Sequence, residues 1–549
     1  MKKLLLFSFI LIGLSTFAQE EMPTVWEKKM DHKINYSGRG LEGEVSYAAS
    51  DKEITVFKND DGSIVWSSKY KDLAPGLRKI DELIPFWESD VIFLFDRKMG
   101  EDKVACVDLN SGKLLWETSK YQELSEDNIV YIQEKQAFAL SLRHALVFID
   151  ARTGEERWET EKFKGVVGQY IYYPGEDVAV MVNFKPTALG ALFSGFKNQI
   201  MKIKLSNGNI IWEQTYIGRA ERKVISGEFL YELEVKEDKV FLRMNGIQVY
   251  DFKTGKPVWS AAFDFTPDGV GVGSPMGAKS FGVYGAVADP VVVGDEVYVL
   301  DMSNRRSQYI KKYNLNTGEL IWTSPEIKEA KAIPNMGVVG DKIVLQIGGA
   351  VEAQAFIVTR QRNSDGSVTI VEERRIWYPN VRPVGVQAFN TKDGSFAWES
   401  ERFRKGITNM LFDEKYVYVC SGKALYKLEA STGADIYEVP LKADKFGLAT
   451  MIMDYNNTMI VIGEKGISRH NYETGTLESS SKYKASALED VFGQILTMKT
   501  VKADIAAFNL NDCTYKQFKA RTGAMTSLQT DGKFVYVFEN KVVTKVKTQ

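Results

Sequence analysis

The chain has 549 residues, 44% hydrophobic, 26% charged and 12% aromatic, a composition that excludes a disordered polypeptide. A formal net charge of −2 excludes the basic footprint of a nucleic-acid binder. Three scattered cysteines, Cys106, Cys420 and Cys513, exclude a disulfide framework, so packing must hold the fold together.

Residues 1–19 have the order of a secretory signal peptide, which makes 20–549 the mature region. Lys2 and Lys3 form a positive start, and Leu4 to Leu14 an apolar core too short to span a bilayer comfortably. Thr16-Phe17-Ala18 supplies small residues for cleavage. The expected location is therefore periplasmic or extracellular. No later apolar run reaches 18 residues, so no transmembrane span is expected in the mature chain. Thr24-Val-Trp26-Glu-Lys-Lys29 follows, reading as the last strand of a unit whose other strands are missing before it.

A recurrent signature then runs down the chain: Gly62–Trp66, Gly112–Trp116, Gly154–Trp158, Gly208–Trp212, Gly255–Trp259, Gly318–Trp322 and Gly394–Trp398. Three degenerate copies follow at Gly433–Tyr437, Gly475–Ser479 and Cys513–Gln517. Spacing of about 40 to 75 residues marks a repeat architecture. Each copy has one logic. An alternating strand arrives, small polar residues turn, glycine adopts a positive φ, and a short strand leaves with the tryptophan. Asp108, Asp150, Asp251, Asn314 and Asn390, four residues before the glycine, are read as turn supports. Five before it the side chain is apolar, from Phe57 to Leu428, except for His470. Two further strand-like runs precede each hairpin, such as Val291-Val-Val and Glu296-Val-Tyr-Val-Leu300, giving the four-stranded blade of a propeller. Each repeat tryptophan is expected to fill the space between neighbouring blades.

Three stretches lengthen particular units. Residues 183–198 carry the apolar Ala188-Leu-Gly-Ala-Leu-Phe-Ser-Gly-Phe196, either a partner-contacting or membrane-touching tip or a loop folded over its own ring face. Leu189, Leu192, Phe193 and Phe196 are its candidate contacts. Residues 266–285 read as a Gly-rich surface loop. Within them, Gly273-Ser-Pro-Met-Gly277-Ala-Lys279-Ser280 fails as a phosphate loop because Ala278 separates glycine from lysine. Residues 360–383 read as an extended hairpin with Trp377 and Tyr378 as candidate contacts, or as a simple strand extension. At the C-terminus, Lys533 to Glu539 and Lys541 to Val546 are the second and third strands of a unit lacking its fourth. Pairing them with residues 24–29 completes a blade and removes two sheet edges. The expected fold is thus an all-β propeller of about eleven four-stranded units, in one large ring or two.

Tyr313-Asn-Leu-Asn-Thr-Gly-Glu-Leu-Ile-Trp322, Val249 to Trp259 and Phe148 to Trp158 resemble the repeat of pyrroloquinoline-quinone-like propellers. The resemblance covers nearly the whole mature region. It implies either a quinone-dependent dehydrogenase with quinone and calcium, or a non-catalytic scaffold like the propeller lipoprotein of outer-membrane assembly. The dehydrogenase branch expects adjacent cysteines, and none are present. His32, His144 and His470 lack metal spacing. The sequence therefore favours a non-catalytic scaffold with protein or cell-envelope partners, no assigned catalytic or metal residue and no cofactor. A quinoprotein enzyme and a carbohydrate- or small-ligand-binding propeller stand as alternatives.

Overall fold

A computed structural model of the chain describes residues 20–39, 44–78, 80–97, 101–122, 124–185, 196–220, 222, 229–263, 278–304, 307–328, 330–362, 368–377, 379–400, 403, 405–422, 424–441, 447–521, 523–528 and 532–549, with the side chains of 127, 278–282, 354–377 and 528 left aside. The signal-peptide reading of residues 1–19 lies outside these.

Eleven four-stranded antiparallel sheets follow one another along the chain. Blade 1 comprises Tyr36–Arg39, Val45–Ala49, Glu53–Lys58 and Ile64–Lys69. Blades 2 to 10 span residues 82–118, 129–160, 166–214, 232–262, 291–323, 335–399, 411–440, 449–482 and 486–518. Blade 11 joins the ends of the chain: Thr24–Lys29 pairs with Val542–Lys547, which continues through Phe534–Glu539 to Met525–Leu528. The closure expected from the sequence is what forms.

The blades make one ring. A buried apolar cluster joins every blade to the next, from Ile54 and Val56 with Ile92 and Leu94 at the first seam to Ile505 and Ala507 with Val535 and Val537 at the tenth. Phe57 and Ala48 of blade 1 meet Tyr536, Phe538 and Val543 of blade 11, so the last blade packs on the first. Each blade's first strand faces the ring centre, where first strands of successive blades approach one another. The fourth strands form the outer rim, with the half-exposed alternation seen in Ile64–Lys69. Eleven exceeds the usual four to eight blades.

The repeat signature acts as a latch from each blade to the next. Tryptophan Nε1 of one blade donates to the carbonyl three residues before the glycine of the next. The pairs are Trp26–Asn59, Trp66–Leu109, Trp116–Ala151, Trp158–Leu205, Trp212–Phe252, Trp259–Leu315, Trp322–Thr391 and Trp398–Ala430, at 2.7 to 3.3 Å. The indole packs against that glycine. At Gly208, φ is +71° and an added Cβ would sit 2.6 Å from the Trp158 ring. The turns are held as expected. Asp108, Asp150, Asp251 and Asn314 each accept from the backbone N–H three residues on, at 2.6 to 2.9 Å. Asn390 differs: its Nδ2 donates to Ser395 Oγ at 2.8 Å.

The degenerate seams replace the indole in different ways. Tyr437 donates its hydroxyl to the Tyr472 carbonyl at 3.3 Å. Opposite Ser479 across the sheet, Arg469 donates to the Leu510 carbonyl at 3.1 Å, the group an indole would have reached. Blade 10 corrects the sequence register. It lacks the bulge that precedes the tryptophan in its neighbours, so Lys516, not Gln517, pairs with Ala507 and takes the latch position. Gln517 instead pairs through its backbone with Glu20 and Met22.

His470 occupies the apolar position five before its glycine. It is 2% exposed, and its Nδ1 lies 3.0 Å from the Gly475 carbonyl and its Nε2 2.9 Å from Ser468 Oγ. A carbonyl only accepts, so Nδ1 carries the proton and Nε2 accepts from the hydroxyl. Burial holds this imidazole below its ordinary pKa. Below about pH 6.5 the unfolded chain takes up a proton that the folded chain refuses. Stability from this residue is therefore expected to fall as pH drops through that value, levelling once the folded imidazole titrates. Urea midpoints between pH 7.5 and 5.5 test this. His470→Leu should show a flatter profile than the parent chain, and identical profiles would remove His470 as the cause.

Candidate partner-binding wall of the central channel

The first strands of blades 2 to 5 form one stretch of the inner wall, lining an open cavity of about 660 Å³. Glu82–Phe86 of blade 2 alternates faces until Pro85, and a short 3-10 turn at Trp87–Ser89 then ends the strand, leaving Trp87 and Glu88 at the rim. Trp87 stacks on Tyr47 of blade 1 with centroids 5.8 Å apart and planes at 21°. Phe86 meets Phe93 and Phe138 at 4.9 and 4.8 Å, which anchors it across the seam between blades 2 and 3.

Blades 4 and 5 are stitched by one side chain. Gln169 donates through Nε2 to the Tyr231 carbonyl at 2.9 Å and accepts through Oε1 from the Leu233 N–H at 2.8 Å. Its own N–H donates to the Tyr231 hydroxyl at 3.0 Å. Gly168 makes this approach possible, because a Cβ there would lie 2.1 Å from that hydroxyl. Burial pushes the Tyr231 phenol up, so it stays protonated. Beside it, Phe229 meets Tyr231 edge-on at 5.2 Å, and the Arg222 guanidinium lies 5.7 Å over the Phe229 ring.

The wall therefore presents half-buried rings, Trp87, Tyr131, Tyr170 and Phe229, among exposed carboxylates, Glu88, Glu126 and Glu232. Burial first, and Glu134 second, raise the Tyr170 phenol, whose hydroxyl lies 3.3 Å from that carboxylate. Glu232 is oriented by Arg243 at 2.5 Å. Rings fixed by packing, with a carboxylate rim, suit grip on another surface rather than bond making. Cys106 and Cys420 are fully buried, and burial pushes both thiols up, which removes them as nucleophiles.

The sequence candidates fall elsewhere. Leu189, Leu192, Phe193 and Tyr378 lie outside the described residues. Phe196 packs with the core between blades 4 and 5, its ring where a Cβ on Gly165 would stand. Trp377 ends the strand Val368–Trp377, which pairs without a break with Glu352–Arg362, so the expected hairpin forms. The hairpin leaves blade 7 between its second and third strands, and within residues 266–285 the strand Ala278–Tyr284, from the link between blades 5 and 6, adds to it as a third, giving a small extra sheet. The channel-wall aromatics escaped the sequence reading because first strands carry no spaced signature. The run Phe86-Trp87-Glu88 after Ile84-Pro85 was the available cue.

The crystal structure of BamB from Moraxella catarrhalis is 15% identical with a TM-score of 0.29, covering 80% of this chain and 96% of that one. The computationally designed Ika8 protein is 12% identical with a TM-score of 0.34, covering 72% and 100%. The C-terminal WD40 domain of Sif2 is 9% identical with a TM-score of 0.32, covering 70% and 99%. No curated protein matches by sequence. The family model described as outer membrane protein assembly factor BamB matches residues 23–214 and 384–524, leaving out blades 5 and 6, the start of blade 7 and the C-terminal strands of blade 11. With more than half of its length matched, the chain belongs to the outer membrane protein assembly factor BamB family.

Proposed function

We propose that the chain is an exported, non-catalytic scaffold that holds a protein partner of outer-membrane assembly against the inner wall of blades 2 to 5. Family membership supports the class of partner. The order of charged, apolar and small residues over 1–19 supports export. The observation that carries the reading is the inner wall itself, with Trp87, Tyr131, Tyr170 and Phe229 held by packing in an open cavity of about 660 Å³. Aromatics and arginine in a partly desolvated pocket dominate protein–protein affinity, and truncating one such anchor costs about 2 kcal/mol or more. The reading needs no cofactor.

A photo-crosslinking side chain at Tyr131 or Phe229 is expected to trap an envelope protein in intact cells. The same group at Val501, which is 98% exposed, should trap none of it. Phe229→Ala should weaken binding of the trapped partner roughly thirtyfold in a purified assay. Equal trapping at Val501, or unchanged affinity on truncation, would overturn the reading.

A further inference from the structure

The geometry points to a second site, on the outer rim at blades 9 to 11, that binds a neutral oligosaccharide. It is independent of the partner reading. At eight seams an indole fills the notch beside the next blade's turn, close enough that a Cβ on the turn glycine would sit 2.3 to 2.9 Å from the ring. Two consecutive seams lack an aromatic latch. Ser479 stands at the notch facing the turn Asn509 to Thr514, and Lys516 faces Thr548, Gln549 and Glu20. The unfilled volume is a continuous cleft of about 900 Å³, within the roughly 300–1,000 Å³ typical of small-molecule sites.

The lining selects the ligand. Its one cationic side chain is already paired: Lys516 lies 3.7 Å from Glu20, while Asp512 accepts from Thr514 N and Oγ1 at 2.8 and 2.6 Å. No free cation remains in the lining to bind a phosphate. Its apolar surface, from Ala507, Tyr515 and side-chain stems, is interleaved with hydroxyls and amides, whereas an acyl chain needs a continuous apolar lining. What remains are hydroxyls and amides, Ser479, Ser481, Thr514 and Asn509, beside that ring. Gln549 supplies a specific demand. Its Oε1 accepts from Gln494 at 3.1 Å, whereas its Nε2 is shielded from solvent and has no acceptor. A shielded donor without a partner costs free energy that a ligand oxygen would restore. A polyhydroxylated, uncharged ligand whose C–H faces meet the apolar atoms between these polar groups matches the lining, and saccharides have that chemistry.

The test is calorimetric titration of the full chain with maltohexaose, cellohexaose and chitohexaose. At least one should bind saturably. Ser479→Trp restores the missing latch and should abolish that binding. Gln549→Ala, at the last residue of the chain, should weaken it roughly fivefold, the loss of one hydrogen bond. If Ser479→Trp does not fold, Gln549→Ala decides alone. No saturation by any of the three up to about 10 mM, the range of weak saccharide sites, overturns the proposal. So does an affinity that Gln549→Ala leaves unchanged.

Discussion

Trp158→Ala is expected to destabilise the ring by about 3–5 kcal/mol, the largest single-residue effect we anticipate among the latches. Three contributions converge there. Trp158 is 7% exposed, so truncation forfeits most of the burial of a large ring and leaves a cavity between blades 3 and 4. The ring stacks on Phe148 with centroids 4.7 Å apart and planes at 12°. Its Nε1 donates to the Leu205 carbonyl at 2.7 Å, and losing it strands a shielded acceptor. Trp158→Phe separates these terms. Phenylalanine keeps much of the buried area but has no donor, so a loss of about 1–2 kcal/mol is expected. Urea unfolding followed by circular dichroism reads both. If alanine and phenylalanine gave the same small shift, the indole would be filler rather than latch.

The latch was legible in the sequence, because a glycine at positive φ and a tryptophan four residues later are both rare and specific. Its hydrogen bond was not, because the acceptor is a backbone carbonyl on the next blade, which no side-chain pattern encodes. The same holds for its substitutes. Arg469 stands six residues before Gly475, where Lys202, Lys312 and Lys427 stand before their own glycines. That recurring basic position was visible, but its meaning was not. Lys312, Lys427 and Lys545 donate to the same carbonyls that Trp322, Tyr437 and Trp26 reach, each from directly across the strand pair. The number of rings could not be read, since every seam carries the same signature whichever blade closes the circle. Contact between Phe57 and Phe538, with centroids 6.4 Å apart and nearly the whole chain between them, decides it. The Lys516 register was misread because a bulge is a one-residue backbone event with no fixed side chain. The channel wall was the least legible part. Its residues come from four blades, and its shape arises only when the ring closes.

Glycine at the latch can be tested against glycine elsewhere, and the contrast is expected to be large. Gly208 has φ +71° and Gly294 has φ +59°, so alanine at either position bears the cost of the left-handed region, about 1–2 kcal/mol. The surroundings differ. A Cβ at Gly294, in the turn after Val291–Val293, meets nothing within 4 Å, so Gly294→Ala should lose that strain energy alone. A Cβ at Gly208 would lie 2.6 Å from the Trp158 ring, which has Phe148 stacked against it and cannot simply retreat. Gly208→Ala must therefore move the indole, sacrificing the Leu205 hydrogen bond and part of its burial, for a total of about 3 kcal/mol or more. In the background of Trp158→Ala the clash disappears, and Gly208→Ala should then cost no more than Gly294→Ala. A double-mutant cycle by urea unfolding reads this coupling, which should amount to at least about 1 kcal/mol. Additive effects at 208 and 158 would mean that the glycine serves its own turn and not the neighbouring blade.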